Sequence, residues 1–130
     1  EGGIDYVDFK NLNVKGEIRQ TFYKKEEMSS LVWASKDSYI NLRELPNGKI
    51  LYAIQKNEVV QHKKKFDADY GETCNITESS ANKGVIVFLS KDSTNPKWYK
   101  VAYIPPQAKD TSKAIYGVIH SSQVGFECGE

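Results

Sequence analysis

Residues 39–60 read YINLRELPNGKILYAIQKNEVV, and this stretch carries the clearest structural signal in the chain. Two apolar segments, YINLR and KILYAI, flank the turn LPNG, in which the Asn47–Gly48 pair suits positive φ angles. A second polar turn, QKN, precedes the Val59–Val60 pair. The stretch therefore predicts a β-hairpin, a polar turn and a further strand.

Further segments of the chain also have the residue pattern of β-strands. In KWYKVAYI (97–104), Trp98, Lys100 and Ala102 alternate with residues that lie on the opposite face. SSQV suits one helical turn, whereas residues 67–84 are polar and have the composition of a long loop. Six or so short strands with almost no helical periodicity predict a small all-β barrel. The further strand candidates are SLVWAS (30–35), VIVFLS (85–90) and AIYGVIH (114–120).

Composition limits the function classes. The chain has 130 residues, enough for one domain with a core, and its 18 basic and 17 acidic residues leave a net charge of +1. This balance argues against a nucleic acid or an anionic membrane surface as partner. No apolar run approaches the roughly 18 residues of a membrane span, so we expect no transmembrane segment. The first residue is Glu1 rather than Met, so we expect that a tag or a leader was removed.

The two cysteines, Cys74 and Cys128, allow two interpretations. They are either reduced thiols of a cytosolic protein or one disulfide formed in an oxidising compartment. Their polar, loop-like surroundings favour the disulfide, which would close a long loop and stabilise the fold by roughly 4 kcal/mol in the chain-entropy model. Their spacing is not CxxC and the chain has only two histidines, so we expect no metal site.

Six segments, taken in order, resemble the bacterial SH3 family (SH3b, SH3 type 3). The resemblance implies a small five-stranded SH3-like barrel, found mostly as a noncatalytic module of envelope proteins, cell-wall hydrolases and secreted proteins. It does not fix the ligand. The matching segments are Asn41-Leu42-Arg43, Pro46-Asn47-Gly48, Ile50-Leu51-Tyr52, Lys56-Asn57-Glu58-Val59-Val60, Trp98-Tyr99-Lys100-Val101 and Tyr116-Gly117-Val118-Ile119-His120-Ser121-Ser122.

The chain departs from this family at three places. Residues 1–30 form an N-terminal extension that the resemblance does not cover, and residues 31–130 form the expected barrel domain. Within that domain, about 61–84 look like a long inserted loop, and 104–113 are longer than the usual turn. We expect residues 41–43 to build the scaffold. The features that distinguish this protein from the family are expected in the insertions at 61–84 and 104–113.

The resemblance implies a peptide groove near Trp98. We expect Tyr39, Tyr52 and Tyr116 nearby as ligand-binding residues, because aromatic rings offer large contact area at low entropy cost. The alternative is that about half of these rings only close the core. His120 is expected to be structural and not to face the adjacent serines, and His62 to be a solvated edge residue. We therefore predict no enzyme and no cofactor.

The insertion is a second candidate site. Its acidic and aromatic residues Asp67, Asp69, Tyr70 and Glu72 would form a partner-binding loop. A disulfide from Cys74 to the C-terminal tail would stiffen that loop and lower the entropy cost of binding.

Two functions follow from these features. The first is an extracytoplasmic (periplasmic or secreted) SH3b-type module that recognises a protein or a peptidoglycan peptide in the cell envelope. The alternative is a small periplasmic inhibitor or immunity-type protein that blocks a cell-wall hydrolase or a secreted toxin.

Overall fold

The chain folds into antiparallel β structure. The computed structural model describes residues 23–25, 28–76, 79 and 82–128, so most of the N-terminal extension lies outside the described residues. The strands are β1 (Val32–Trp33), β2 (Tyr39–Arg43), β3 (Ile50–Gln55), β4 (His62–Asp67), β5 (Gly71–Ile76), β6 (Val85–Lys91), β7 (Trp98–Ile104), β8 (Ile115–His120) and β9 (Val124–Gly125).

Five of these strands form the main sheet, in the order β3-β2-β8-β7-β6. Strands β1 and β9 form a small second sheet, and β4 and β5 form a third. The all-β prediction is confirmed. The closed SH3-like barrel is not, because no ladder joins the edge strands β3 and β6 in the described part of the chain. The segments beside these edges meet at a single bridge between Val59 and Gly84.

The predicted hairpin in residues 39–60 is present. Strands β2 and β3 pair from Tyr39–Gln55 to Arg43–Ile50, with a register shift near the turn. Asn47 adopts a φ of 61°, as the turn prediction requires of this position. The predicted polar turn is a short 3-10 helix at Lys56–Glu58, and the predicted helical turn is one at Ser121–Gln123.

The core lies mainly between the main sheet and the segments that cover it. Consecutive residues of β6 and β7 are buried, which means that both faces of these strands are covered. Strand β2 crosses β8 closely at Gly117, where a Cβ atom would lie 2.5 Å from the Arg43 carbonyl oxygen. The most deeply buried side chains include Ile40, Leu42, Ile54, Val59, Val60, Ile86, Val101, Tyr103, Ile104 and Ile119.

The prediction of a loop at residues 67–84 is wrong for its first half. Residues 71–76 form β5, which pairs with β4 along its whole length. Only three residues turn between Asp67 and Gly71, and Gly71 takes a φ of 81° that suits this turn type. The Asp67 carboxylate supports the turn by accepting from the Asp69 and Tyr70 amides at 2.7 and 3.2 Å. Residues 62–76 of the insertion therefore form a β-hairpin rather than a polar loop.

The described part of the N-terminal extension packs on the long loop at residues 104–113. Tyr23 and Thr111 exchange hydrogen bonds of 3.0 Å, and the Lys25 amide donates to the Lys109 carbonyl oxygen at 2.8 Å. The Lys25 side chain is buried, with a relative exposure of 1%. Its ammonium donates to three backbone carbonyl oxygens, those of Lys83 at 2.8 Å, Pro105 at 3.1 Å and Pro106 at 3.0 Å.

Candidate functional site

A groove with a volume of about 300 Å³ runs along the outer face of β2. Alternate residues of a strand point to opposite faces. Ile40 and Leu42 enter the core, with 1% and 0% exposure, whereas Tyr39, Asn41 and Arg43 line the groove. Asn41 and Arg43, which were expected to build the scaffold, thus also line this groove.

Trp98 and His120 complete the groove from the neighbouring strands. They are direct register partners on β7 and β8, and their rings meet edge to face with centroids 5.2 Å apart. Trp98 is only 7% exposed, so it forms a buried apolar part of the wall. Gln123, Asp37 and Asn47 also line the groove.

His120 is fixed by the short 3-10 helix that follows it. Its Nδ1 accepts from the Ser122 amide at 3.1 Å and lies 2.9 Å from the Ser122 hydroxyl oxygen. The expectation that His120 does not face the adjacent serines is thus wrong for Ser122. A backbone amide can only donate, so Nδ1 of the neutral ring carries no proton and Nε2 carries it.

Arg43 lies at the end of β2 next to the hairpin turn. Its Nη1 donates to the Gly48 carbonyl oxygen at 2.7 Å, which holds the guanidinium beside the turn. Within the described residues, Arg43 forms no ion pair, although Asp37 lines the same groove. The groove thus combines a cation, a carboxylate, amide groups and aromatic rings, a mixture that suits the binding of a peptide.

The four predicted ligand-binding aromatics do not gather at one place. Trp98 and Tyr39, the latter 44% exposed, lie at the groove. Tyr52 stacks on Tyr103 with ring centroids 5.5 Å apart, and Tyr116 packs against the core. These last two fit the alternative that some of the rings only support the fold.

Tyr52 and Tyr103 share one acceptor. Both hydroxyls donate to the Glu58 carboxylate, Tyr52 at 2.9 Å, and Glu58 follows β3 directly. Burial, followed by the hydrogen bond to Glu58, raises the pKa of each tyrosine. A Cβ atom on Gly84 would lie 2.3 Å from the Tyr103 hydroxyl oxygen, so a glycine is needed there.

The predicted partner-binding residues lie on the β4–β5 hairpin. Asp67 ends β4, Asp69 and Tyr70 occupy the turn, and Glu72 lies in β5, where it forms an ion pair of 3.6 Å with Lys64. Tyr70 is 81% exposed. Phe66, which the sequence interpretation did not single out, is 77% exposed on the same hairpin.

A disulfide ties this hairpin to the C-terminal segment. Cys74 of β5 is bonded to Cys128, so the favoured interpretation of the cysteines is confirmed. The C-terminal segment also packs on the main sheet, where Phe126 contacts Phe88 and Tyr99 with ring centroids 5.2 and 5.8 Å apart. The hairpin is therefore anchored to the outer side of β6 and β7.

His62 differs from the expected solvated edge residue. It is only partly exposed, and its buried Nδ1 has no hydrogen-bond partner within the described residues. Burial lowers the pKa of His62 below the usual 6.5. The base of the hairpin therefore contains a histidine whose charged form is disfavoured by burial.

Asn41, Arg43 and His120 are among the groove residues that sequence reasoning did not assign to a site. A signal was available in YINLR, because its apolar second and fourth residues send the other three to the opposite face. His120 was hidden, since only the β7–β8 register places it beside Trp98.

A scan against protein-family models, a search of curated proteins and a search of solved structures each found no match for the chain. Among the described residues, no helix is long and apolar enough to cross a membrane. Those residues also contain no group of three or more His, Cys, Asp or Glu side chains that could hold a metal ion.

Proposed function

We propose that the chain is a noncatalytic, extracytoplasmic binding module of the SH3b type that recognises a protein or a peptidoglycan peptide in the bacterial cell envelope. The observation that carries this proposal is the β2 groove, where Tyr39 and Trp98 meet the polar side chains of Asn41, Arg43 and His120. A concave site with aromatic walls and a few convergent polar groups is the usual form of a ligand site.

Two further features support the proposal. The Cys74–Cys128 disulfide is the kind of bond that persists in oxidising compartments, which favours a periplasmic or secreted protein. The order of the hairpin, the Trp98 strand and the closing β8 strand agrees with the SH3b resemblance. The bridge between Val59 and Gly84, which brings the segments beside the two sheet edges together, is compatible with a small SH3-like barrel.

A test of the proposal uses two matched tyrosine variants in a capture experiment. Tyr39→Ala removes an exposed ring from the groove, and Tyr70→Ala removes an exposed ring from the hairpin turn. Wild-type and variant proteins are immobilised and exposed to envelope extract, and each is also sedimented with purified peptidoglycan. We expect Tyr39→Ala to lose the bound component by about tenfold or more, since an anchor ring is worth roughly 2 kcal/mol. Tyr70→Ala should retain it.

The reverse pattern favours the second candidate function. The exposed Phe66 and Tyr70 on a disulfide-anchored hairpin support a small inhibitor or immunity-type protein that blocks a cell-wall hydrolase or a secreted toxin. Loss of a single stoichiometric protein partner in Tyr70→Ala, with none in Tyr39→Ala and no sedimentation, would replace the first proposal with this one.

A further inference from the structure

The polar groups of the β2 groove follow an order along the strand. Arg43 lies at one end and Tyr39 about 13 Å away at the other, by the rise of about 3.3 Å per residue. Strands β2 and β8 run antiparallel from the Arg43–Val118 pair, so His120 lies toward the Tyr39 side of Arg43. Gln123 follows three residues after His120, and Asp37 precedes Tyr39. The single cation and the single carboxylate thus lie toward opposite ends of the groove.

Arg43 and His120, which lie on the neighbouring strands β2 and β8, both carry donors suited to a carboxylate. A guanidinium presents a planar fork of N–H groups that matches the two oxygens of a carboxylate. One Nη1 hydrogen bond to Gly48 orients this fork. His120 adds a second donor, because its Nδ1 accepts from the Ser122 amide and leaves the proton on Nε2.

The volume of the groove and the charge of Asp37 limit the class of ligand further. A volume of about 300 Å³ is at the lower end of ligand sites, so it suits a short chain end rather than a large molecule. Asp37 would repel a multiply charged anion, whereas a single carboxylate near Arg43 avoids it. We propose that the β2 groove binds the free carboxyl terminus of a short peptide, with Arg43 and His120 on the carboxylate. This inference rests on the proposed function and specifies its ligand class.

The test uses peptide libraries, since the partner is unidentified. Purified protein is mixed with an equimolar library of N-acetylated tripeptides that have free carboxylates, and separately with the same library as C-terminal amides. Ultrafiltration and mass spectrometry count the retained peptides. We expect at least tenfold more retention from the acid library, because charge-assisted hydrogen bonds are lost in the amides. Arg43→Gln should abolish this preference.

Urea unfolding of Arg43→Gln checks that the variant still folds. Arg43→Lys, which keeps the charge but not the fork, should show an intermediate preference for the acid library.

Two results would overturn the inference. The first is equal retention of acids and amides by the wild-type protein, and the second is retention of neither library. In both cases the proposed function is tested separately, by the capture experiment with Tyr39→Ala and Tyr70→Ala. If Tyr39→Ala still loses the envelope component, the groove remains the binding site and only the carboxylate specificity is wrong.

Discussion

Glu58 connects parts of the chain that are distant in sequence. Its carboxylate accepts from the hydroxyls of Tyr52 and Tyr103, and its backbone carbonyl oxygen accepts from the Gly84 amide at 2.5 Å. The two tyrosines lie on β3 and β7, so this one residue, which precedes the insertion, joins both strands to the end of the insertion at Gly84. Gly84 is required because any side chain there would enter the space of the Tyr103 hydroxyl.

We predict that Gly84→Ala lowers the free energy of unfolding by about 3 kcal/mol, since the added methyl group would displace Tyr103 and weaken its bond to Glu58. Urea unfolding measures this change. Tyr103→Phe removes the hydroxyl that the methyl group meets most closely, so the double variant should lose less than the sum of the two single variants. Strictly additive losses would contradict the contact between Gly84 and the Tyr103 hydroxyl.

The lowered pKa of His62 leads us to predict that the free energy of unfolding depends on pH. Burial lowers the pKa of His62 in the folded state, whereas the unfolded chain takes up a proton near 6.5. The unfolded state therefore binds more protons below that pH, and stability falls as the pH drops from 7 toward 5. In His62→Leu this contribution disappears, so its urea midpoint should fall less over the same range. An equal fall in both proteins would show that the imidazole is not held neutral by folding.

The residues of the groove show what a sequence pattern reveals and what it hides. Trp98 and Tyr39 were expected at a binding surface, and both lie at the groove. Tyr52 was expected there too, but its ring turns to Tyr103 and Glu58. Which aromatic ring faces a groove depends on strand register across the sheet, and a single sequence does not contain that information.

At the scale of elements, the β4–β5 hairpin is the largest departure from the expected fold. Its sequence is polar because most of its side chains are exposed, so it lacks the apolar alternation by which strands are recognised. The strand pairing is instead supported by the Asp67–Gly71 turn and by the Cys74–Cys128 disulfide. Main-sheet strands such as VIVFLS and KWYKVAYI were predictable because they bury apolar residues.

We predict that Cys74→Ser/Cys128→Ser loosens the hairpin while the main sheet remains. The bond spans 54 residues, and its loss should cost roughly 4 kcal/mol in the chain-entropy model. Hydrogen exchange measured peptide by peptide should show faster exchange in residues 62–76 than in the wild type. Residues 98–104 should keep their relative protection. A uniform increase along the chain would mean that the disulfide supports the whole fold rather than the hairpin.

The N-terminal extension has its own anchor in Lys25. We predict that Lys25→Met, which keeps the length of the side chain, lowers the free energy of unfolding by about 3 kcal/mol because buried carbonyl oxygens lose a charged donor. Lys24→Met is the matched control, since Lys24 is an exposed neighbour, and it should change stability little. Thermal unfolding compares the two variants. Equal effects of the two substitutions would mean that the hydrogen bonds from the Lys25 ammonium to the three carbonyl oxygens do not anchor the extension.

At the scale of the whole molecule, the fold has two different surfaces that could contact a partner. One is the β2 groove, which combines polar side chains with Trp98. The other is the hairpin, which carries the exposed Phe66 and Tyr70. The near-zero net charge of +1 gives neither surface a strong long-range field, so contacts at short range must provide the specificity.

The two surfaces can be compared directly with a photo-crosslinking amino acid. Tyr39 and Tyr70 are replaced, one at a time, by p-benzoylphenylalanine, which keeps an aromatic ring at each exposed position. Both proteins are irradiated in envelope extract, and the products are identified by mass spectrometry. If the β2 groove is the binding site, the label at position 39 gives a discrete product that excess unlabelled protein suppresses, and the label at position 70 gives none. A discrete product that is obtained only from the label at position 70, and that excess unlabelled protein suppresses, would contradict the claim that the β2 groove is the binding site.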